Sequence, residues 1–261
     1  MTAPADNDVM RALLAAINCP KGAVEANLDT HLRLLDTAVP GDLVLFPEMS
    51  LTGYLDPSIA ANSLARLDHP AVLKLVAATG SAGVCACFGI AERGPGGLPF
   101  ITQVVAADGK LLGVQRKRYL GEGEEAFTAA SGDAIFEHGE IRFGIAICAE
   151  AGHDAPFDAA ASNGATLVLF PAAPGLYGRC TDEESWLRGF AWWEGCSLGD
   201  ASRHAKRLGL WIAQAGQAGV TQDEDFPGLA ALTGPDGEVT GRLPDWRAGV
   251  LTVTIPAEGA A

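Results

Sequence analysis

One stretch of this chain is written twice. LVLFPE at 43–48 is answered by LVLFPA at 167–172, and the surroundings repeat with it. Each copy is a short apolar run bounded by turn-forming residues, the pattern of a strand covered on both faces. Before the first copy, residues 12–17 read as a strand, and Val24, Leu28, Leu32 and Leu35 recur at helical spacing up to Pro40. After it come a helix at 70–78, a strand at 84–91, and a hairpin of 101–106 and 110–114 around Asp108 and Gly109. The second half follows the same plan: a strand at 141–147, a helix at 157–162 and a strand at 167–170. Trp186, Leu187, Phe190 and Trp193 mark a helix, and a second helical stretch runs to Arg207. A strand at 210–214 and a hairpin around Asp236 and Gly237 complete the unit. Two copies are too few for a solenoid, so the expectation is a single α/β domain over 1–261 with an internal pseudo-twofold repeat.

The repeat isolates a difference. The first copy ends in Glu48 and the second in Ala172, so the architecture does not demand the carboxylate, and a charge at the mouth of an apolar strand points to function. IRFGIAICAE at 141–150 likewise runs a buried strand into Cys148. Reactive groups in open α/β sheets gather at such carboxyl edges, although inert packing is the ordinary use of a free cysteine. A thiol attacks a carbonyl or nitrile carbon when a base takes its proton and a cation or N–H donors hold the developing charge. Glu48 can be that base if enclosed, because burial raises a carboxylate toward the thiol. The backbone N–H of Ala149, next after the thiol, is an oxyanion donor by the same strand-to-turn geometry used in other hydrolases.

Composition narrows the partners. A net charge of -14 disfavours nucleic acid and anionic membrane surfaces, where Lys and Arg are in surplus. The acidic start MTAPADNDVM does not read as a signal peptide, and no later run approaches a membrane span, which makes the expected location cytoplasmic. Cys19, Cys85, Cys87, Cys148, Cys180 and Cys196 form neither a disulfide framework nor a metal spacing, so reduced thiols are expected. Cys85 and Cys87 share one face of a strand-like run and read as core.

Three segments together carry a resemblance. LVLFPEMSLTGY at 43–54, RKRYL at 116–120 followed by an acidic patch, and FGIAICAE at 143–150 followed by ATLVLFPAA at 165–173 resemble, in order and spacing, the nitrilase superfamily of carbon-nitrogen hydrolases. The resemblance implies a four-layer αββα sandwich, with Cys148 as nucleophile, Glu48 as general base and Lys117 as the cation beside the oxyanion. On its own, Lys117 between Arg116 and Arg118 reads as part of a solvated face. The resemblance also implies a further glutamate that assists proton transfer; among Glu122, Glu124 and Glu125 the spacing from Lys117 best fits Glu125. Ala149, Tyr54 and Ala172 are taken as the substrate and oxyanion side. For Tyr54, as for Tyr177, Trp186, Trp192 and Trp193, burial in a core or interface is the commoner use of an aromatic ring.

The implied activity is hydrolysis of a small amide through a Cys148 thioester, without metal or cofactor, in a homodimer or higher even oligomer. N-carbamoyl hydrolysis, nitrile hydrolysis and acyl transfer are the alternatives within the family. A non-catalytic binding or scaffold subunit is the alternative outside it, and a redox sensor at Cys148 is a more distant one. The chain departs from the family pattern at Ala149, where an aromatic is usual, at GHDAPF 152–157 with His153, and at Arg207 and Leu208, where Glu and Asn are common. These departures bear on substrate and assembly rather than on reaction type.

Overall fold

Alternation along the strands decides what each face meets. In β1 (Val9–Ala16), Met10, Ala12, Leu14 and Ala16 pack into one core while Leu13 and Ala15 pack into another, the two-residue period of a strand buried on both sides. β8 (Leu167–Ala172) does the same, with Leu167 and Leu169 on one side and Val168, Phe170 and Ala172 on the other. The computed structural model describes residues 9–176 and 178–256. Tyr177 and the acidic first residues of the chain lie outside them.

Two six-stranded sheets result. The first runs β14–β1–β2–β3–β4–β5, with β2 (Leu43–Leu45), β3 (Cys85–Arg93), β4 (Pro99–Ala107), β5 (Lys110–Arg116) and β14 (Gly249–Pro256). The second runs β13–β12–β9–β8–β7–β6, with β6 (Phe136–His138), β7 (Ile141–Ile145), β9 (Trp211–Gly216), β12 (Ala230–Thr233) and β13 (Val239–Arg242). In each sheet three parallel strands, β1–β2–β3 or β7–β8–β9, are followed by an antiparallel hairpin and flanked by one antiparallel edge strand. The repeat in the sequence is therefore a repeat of whole sheets. One edge strand breaks the chain order: β6 precedes its unit, whereas its counterpart β14 returns from the C-terminal end to pair with β1.

Side chains from both sheets meet in a central core, among them Leu14, Leu45, Ile145 and Leu169. A second core lies between the first sheet and helices α1 (Val24–Leu35) and α3 (Pro70–Ala82). A third lies between the second sheet and α4 (Ala155–Ser162) with α5 (Glu183–Leu208). This is the four-layer sandwich that the resemblance implies. The one-turn α2 (Pro57–Ala60) belongs to the loop after β2.

Two expectations need correction. The two helical stretches between Trp186 and Arg207 are one helix of 26 residues. Its interior glycines weaken the pattern, but its ends are strongly marked. Asp182 accepts a hydrogen bond from the Ser185 N–H at 2.7 Å, and Gly209 closes the helix at φ 69°. The strands β6 and β14, and the small hairpin of β10 (Ala218–Val220) and β11 (Asp225–Pro227), were not expected.

Candidate active site

Glu48 sits just beyond β2, and the turn that carries it is fixed by close backbone approach. Met49 takes φ 48°, a left-handed conformation uncommon for a side-chain-bearing residue. The turn lies directly on Gly89 of β3, where an added Cβ would come within 2.2 Å of the Met49 nitrogen. Ser50 Oγ accepts the Gly89 N–H at 3.1 Å and is paired at 2.9 Å with His31 on α1. Burial lowers the His31 imidazole to about 4, so it holds this turn as a neutral ring. Gly89→Ala is accordingly expected to displace Glu48: a circular dichroism melt should show a loss of about 1–3 kcal/mol for overpacking, and any catalytic rate should fall more than stability alone explains.

Lys117 follows β5, and its N–H still bonds the Ile101 carbonyl at 2.8 Å. None of the basic trio is a solvated face. Arg116 makes a two-pronged pair with buried Glu92 at 2.7 and 2.8 Å. Lys117 is fully buried. Arg118 donates to Glu150 through its backbone N–H at 2.6 Å and through its guanidinium at 2.7 and 3.0 Å. Glu150 also accepts the Ile147 N–H at 2.8 Å, so one carboxylate ties the lysine segment to the turn that carries the cysteine.

Cys148 opens that turn, Cys148–Gly152, at φ 45°. A non-glycine residue held there stores about 1–3 kcal/mol of strain, of the kind found at functional sites. Like Met49 after β2, Cys148 turns the chain sharply just beyond the end of a parallel strand, here β7 of the other sheet.

These edges converge. Lys117 Nζ donates to Glu48 Oε1 and to Glu124 Oε1, both at 2.7 Å. Glu48 Oε2 accepts the Ala173 N–H at 3.0 Å, and Cys148 lies close enough to this carboxylate for the two to shift each other's ionisation. Burial pushes Glu48 up to about 7 against the pull of Lys117, and neighbouring Glu124 adds to the rise. Burial alone would lower Lys117, but Glu48, Cys148 and Glu124 together hold the ammonium above its ordinary value. Enclosure, then the Glu48 carboxylate, raise Cys148 well above the usual thiol range. The resting arrangement is thus an ammonium, a thiol and a carboxylate poised near neutrality.

Two sequence expectations change here. Glu125 is exposed and its carboxylate accepts the Gly123 N–H at 3.1 Å, away from Lys117. The acid beside the lysine is Glu124, which also accepts the Tyr54 hydroxyl at 2.7 Å and the Gly121 N–H at 2.6 Å. Ala172 remains in the strand, its carbonyl accepting the Gln217 N–H, and the residue that reaches the site is Ala173. Ala149 and Tyr54 do line the cavity. His153 is exposed and stacks on Tyr119 instead. Arg207 pairs with Asp158 at 2.5 Å and fastens α5 to α4.

The cavity encloses about 890 Å³, within the range of small-molecule sites, and Cys148, Glu124, Tyr54, Ala149 and Ala173 are among the residues that line it. Glu48 and Lys117 are buried behind them. Among the described residues no group of three His, Cys, Asp or Glu is placed to hold a metal ion, and no helix is long and apolar enough to cross a membrane.

Comparison with known proteins places the chain in a family. A family model described as carbon-nitrogen hydrolase matches residues 13–261. The glutamine-dependent NAD(+) synthetase of Rhodobacter capsulatus is 24% identical over 97% of this chain and 45% of its own length. The chain spans less than two thirds of the length of the curated relatives it matches. Among solved structures, a mutant of an amidase of the nitrilase superfamily from Nesterenkonia AN1 superposes with a TM-score of 0.77 at 24% identity, over 97% of this chain and 92% of that one. A CN-hydrolase superfamily protein from Xanthomonas campestris, which carries an arsenic adduct in its active site, superposes at 0.79 with 18% identity, over 95% and 91% of the two chains.

Proposed function

The chain belongs to the carbon-nitrogen hydrolase family, and from that premise we propose that it is a thiol-dependent amidase releasing ammonia or an amine from a small amide. The observation that carries this reading is the Lys117 ammonium bonded at 2.7 Å to both Glu48 and Glu124, with Cys148 at the cavity wall near enough to feel the Glu48 carboxylate. In the proposed reaction Glu48 takes the thiol proton as Sγ bonds to the amide carbon. An ammonium has three donors, and two of those on Lys117 face carboxylates, which leaves one for the developing oxyanion beside the Ala149 N–H. The proton on Glu48 passes to the departing nitrogen, the C–N bond breaks, and a thioester remains. Glu48 then takes a proton from water as the water oxygen adds to the thioester; the C–S bond breaks, the acid leaves, and Glu48 returns the proton to the Cys148 sulfur. Glu124, held by Tyr54, keeps Lys117 in line. The likeness to the amidase of Nesterenkonia AN1 supports an amide over a nitrile.

Ammonia release from small amides, ureido acids and nitriles tests the reading. Cys148→Ala is expected to lose on the order of 10⁴-fold or more; equal rates in the two proteins would end the proposal. New amides formed on addition of acceptor amines would identify acyl transfer instead. An even homo-oligomer and a cytoplasmic location belong to the same proposal, and light scattering on the purified chain tests the first.

A further inference from the structure

The cavity that holds Cys148 is apolar along its wall and negatively charged at its mouth. Asp56, Glu122, Asp223 and Glu224 line it, against a single rim cation among the described residues, Lys21. Lys21 is already engaged: its Nζ lies 2.9 Å from the Asp223 carboxylate and 3.5 Å from that of Glu224. Among the described residues no arginine lines the cavity. A substrate carboxylate would therefore enter beside several like charges with no unoccupied cation to meet it, an arrangement that disfavours binding.

Glu224 is placed for a ligand in a way its neighbours on the rim are not. Its side chain is 22% exposed, and its carboxylate lies over Gly175, where an added Cβ would meet Oε1 at 1.6 Å. Gly175 stands two residues beyond Ala173, whose N–H holds Glu48, so this carboxylate leans onto the same strand edge as the reactive centre. Its bond to Lys21 is the longer of the two, and an entering cation can replace it while Lys21 stays on Asp223.

The wall supplies a second kind of cation partner. Trp192 and Trp193 line the same cavity, their rings 6.0 Å apart and tilted by 46°. Trp193 is 8% exposed, and its indole N–H has no partner among the described residues. Aromatic faces beside carboxylates attract ammonium and guanidinium groups, the indole being the strongest such face.

We propose that the substrate carries a positive charge at the end remote from its scissile amide, and that Glu224 receives this charge while Trp192 and Trp193 cover the chain between. The proposal rests on the amidase reading, but its test does not require turnover. Calorimetric binding to Cys148→Ala compares ω-aminovaleramide, valeramide and glutaramate, which share a chain and differ in terminal charge. A hydrogen bond to a charged group is worth about tenfold to a hundredfold in affinity. ω-Aminovaleramide should exceed valeramide by at least about tenfold, with glutaramate weakest, and added salt should narrow the gap.

Glu224→Gln in the same background should bring the ratio of ω-aminovaleramide to valeramide toward one. Lys21→Met, which frees Glu224 of its resident partner, should tighten ω-aminovaleramide binding. Equal affinities for the three amides, no detectable binding of ω-aminovaleramide, an unchanged ratio in Glu224→Gln, or weaker binding in Lys21→Met would overturn the proposal. Ammonia release by the wild-type chain is read separately. A charge preference in binding without release of ammonia from any amide would end the amidase reading and leave only the cavity's preference for a cationic ligand standing.

Discussion

Replacing Lys117 by alanine is expected to remove most of the activity and several kilocalories of stability together. The ammonium is fully buried between Glu48 and Glu124, at 2.7 Å from each. Without it two carboxylates face one another out of water, and removing one partner of a buried ion pair costs about 3–5 kcal/mol. For a chain of this size that corresponds to a fall in Tm on the order of 10 °C.

The pH dependence has a definite sign. Glu48 is already raised to about 7 with the ammonium present, and loss of the ammonium raises it further above its unfolded value. A folded pKa above the unfolded one favours folding below the unfolded value, and that advantage is lost as pH rises through the folded value. Lys117→Ala should thus approach wild-type stability near about pH 5 and fall behind it toward about pH 8. Melts at a series of pH values check this; a deficit that is largest in acid would contradict it. Activity should drop by about 10²–10³-fold from lost charge stabilisation alone, and further because the proposed base stays protonated.

Glu48→Gln is the second large effect. Glutamine keeps the size of the side chain and can still accept from Lys117, but it cannot take the thiol proton. A positioned base contributes about 10²–10⁴-fold, and the upper end is expected because enclosure, the larger cause of the thiol's raised range, remains when the Glu48 charge is gone. The wild-type kcat/KM should rise about tenfold per pH unit until close to 7, where the carboxylate becomes ionised, and then level. That apparent value belongs to the coupled cluster of Glu48, Lys117, Glu124 and Cys148 rather than to one residue. In Glu48→Gln this acid limb should vanish. A variant with an unchanged limb would show that another group takes the proton.

Glu48 and Cys148 were legible because each ends an apolar strand, and because the repeat set Glu48 against an alanine at the corresponding position. Lys117 was legible only through the resemblance, since a lysine between two arginines carries no mark of burial. Its neighbours turned inward because each arginine met a buried acid, Glu92 or Glu150, far away in sequence. Glu124 and Glu125 are adjacent in one turn, and spacing could not separate them. The choice is made by Tyr54, which the fold brings in from far away in sequence, together with the N–H of Gly121 at the start of the turn. Ala173 was missed by one residue: the ladder ends at Ala172, and the first N–H beyond it is the one free to reach Glu48. In the fold, β14 was missed because its partner β1 lies at the other end of the chain, and nothing local reports such a pairing.

The claim on which the account turns is that Cys148 becomes acylated while Glu48 and Lys117 act on it as a unit. Intact-protein and peptide masses of chain quenched in acid during turnover of its fastest amide measure this directly. The expected result is a gain equal to one acyl group on the peptide that contains Cys148, absent in Cys148→Ala and much reduced in Lys117→Ala. Turnover that proceeds with no adduct, or with the acyl group on a different residue, would contradict it.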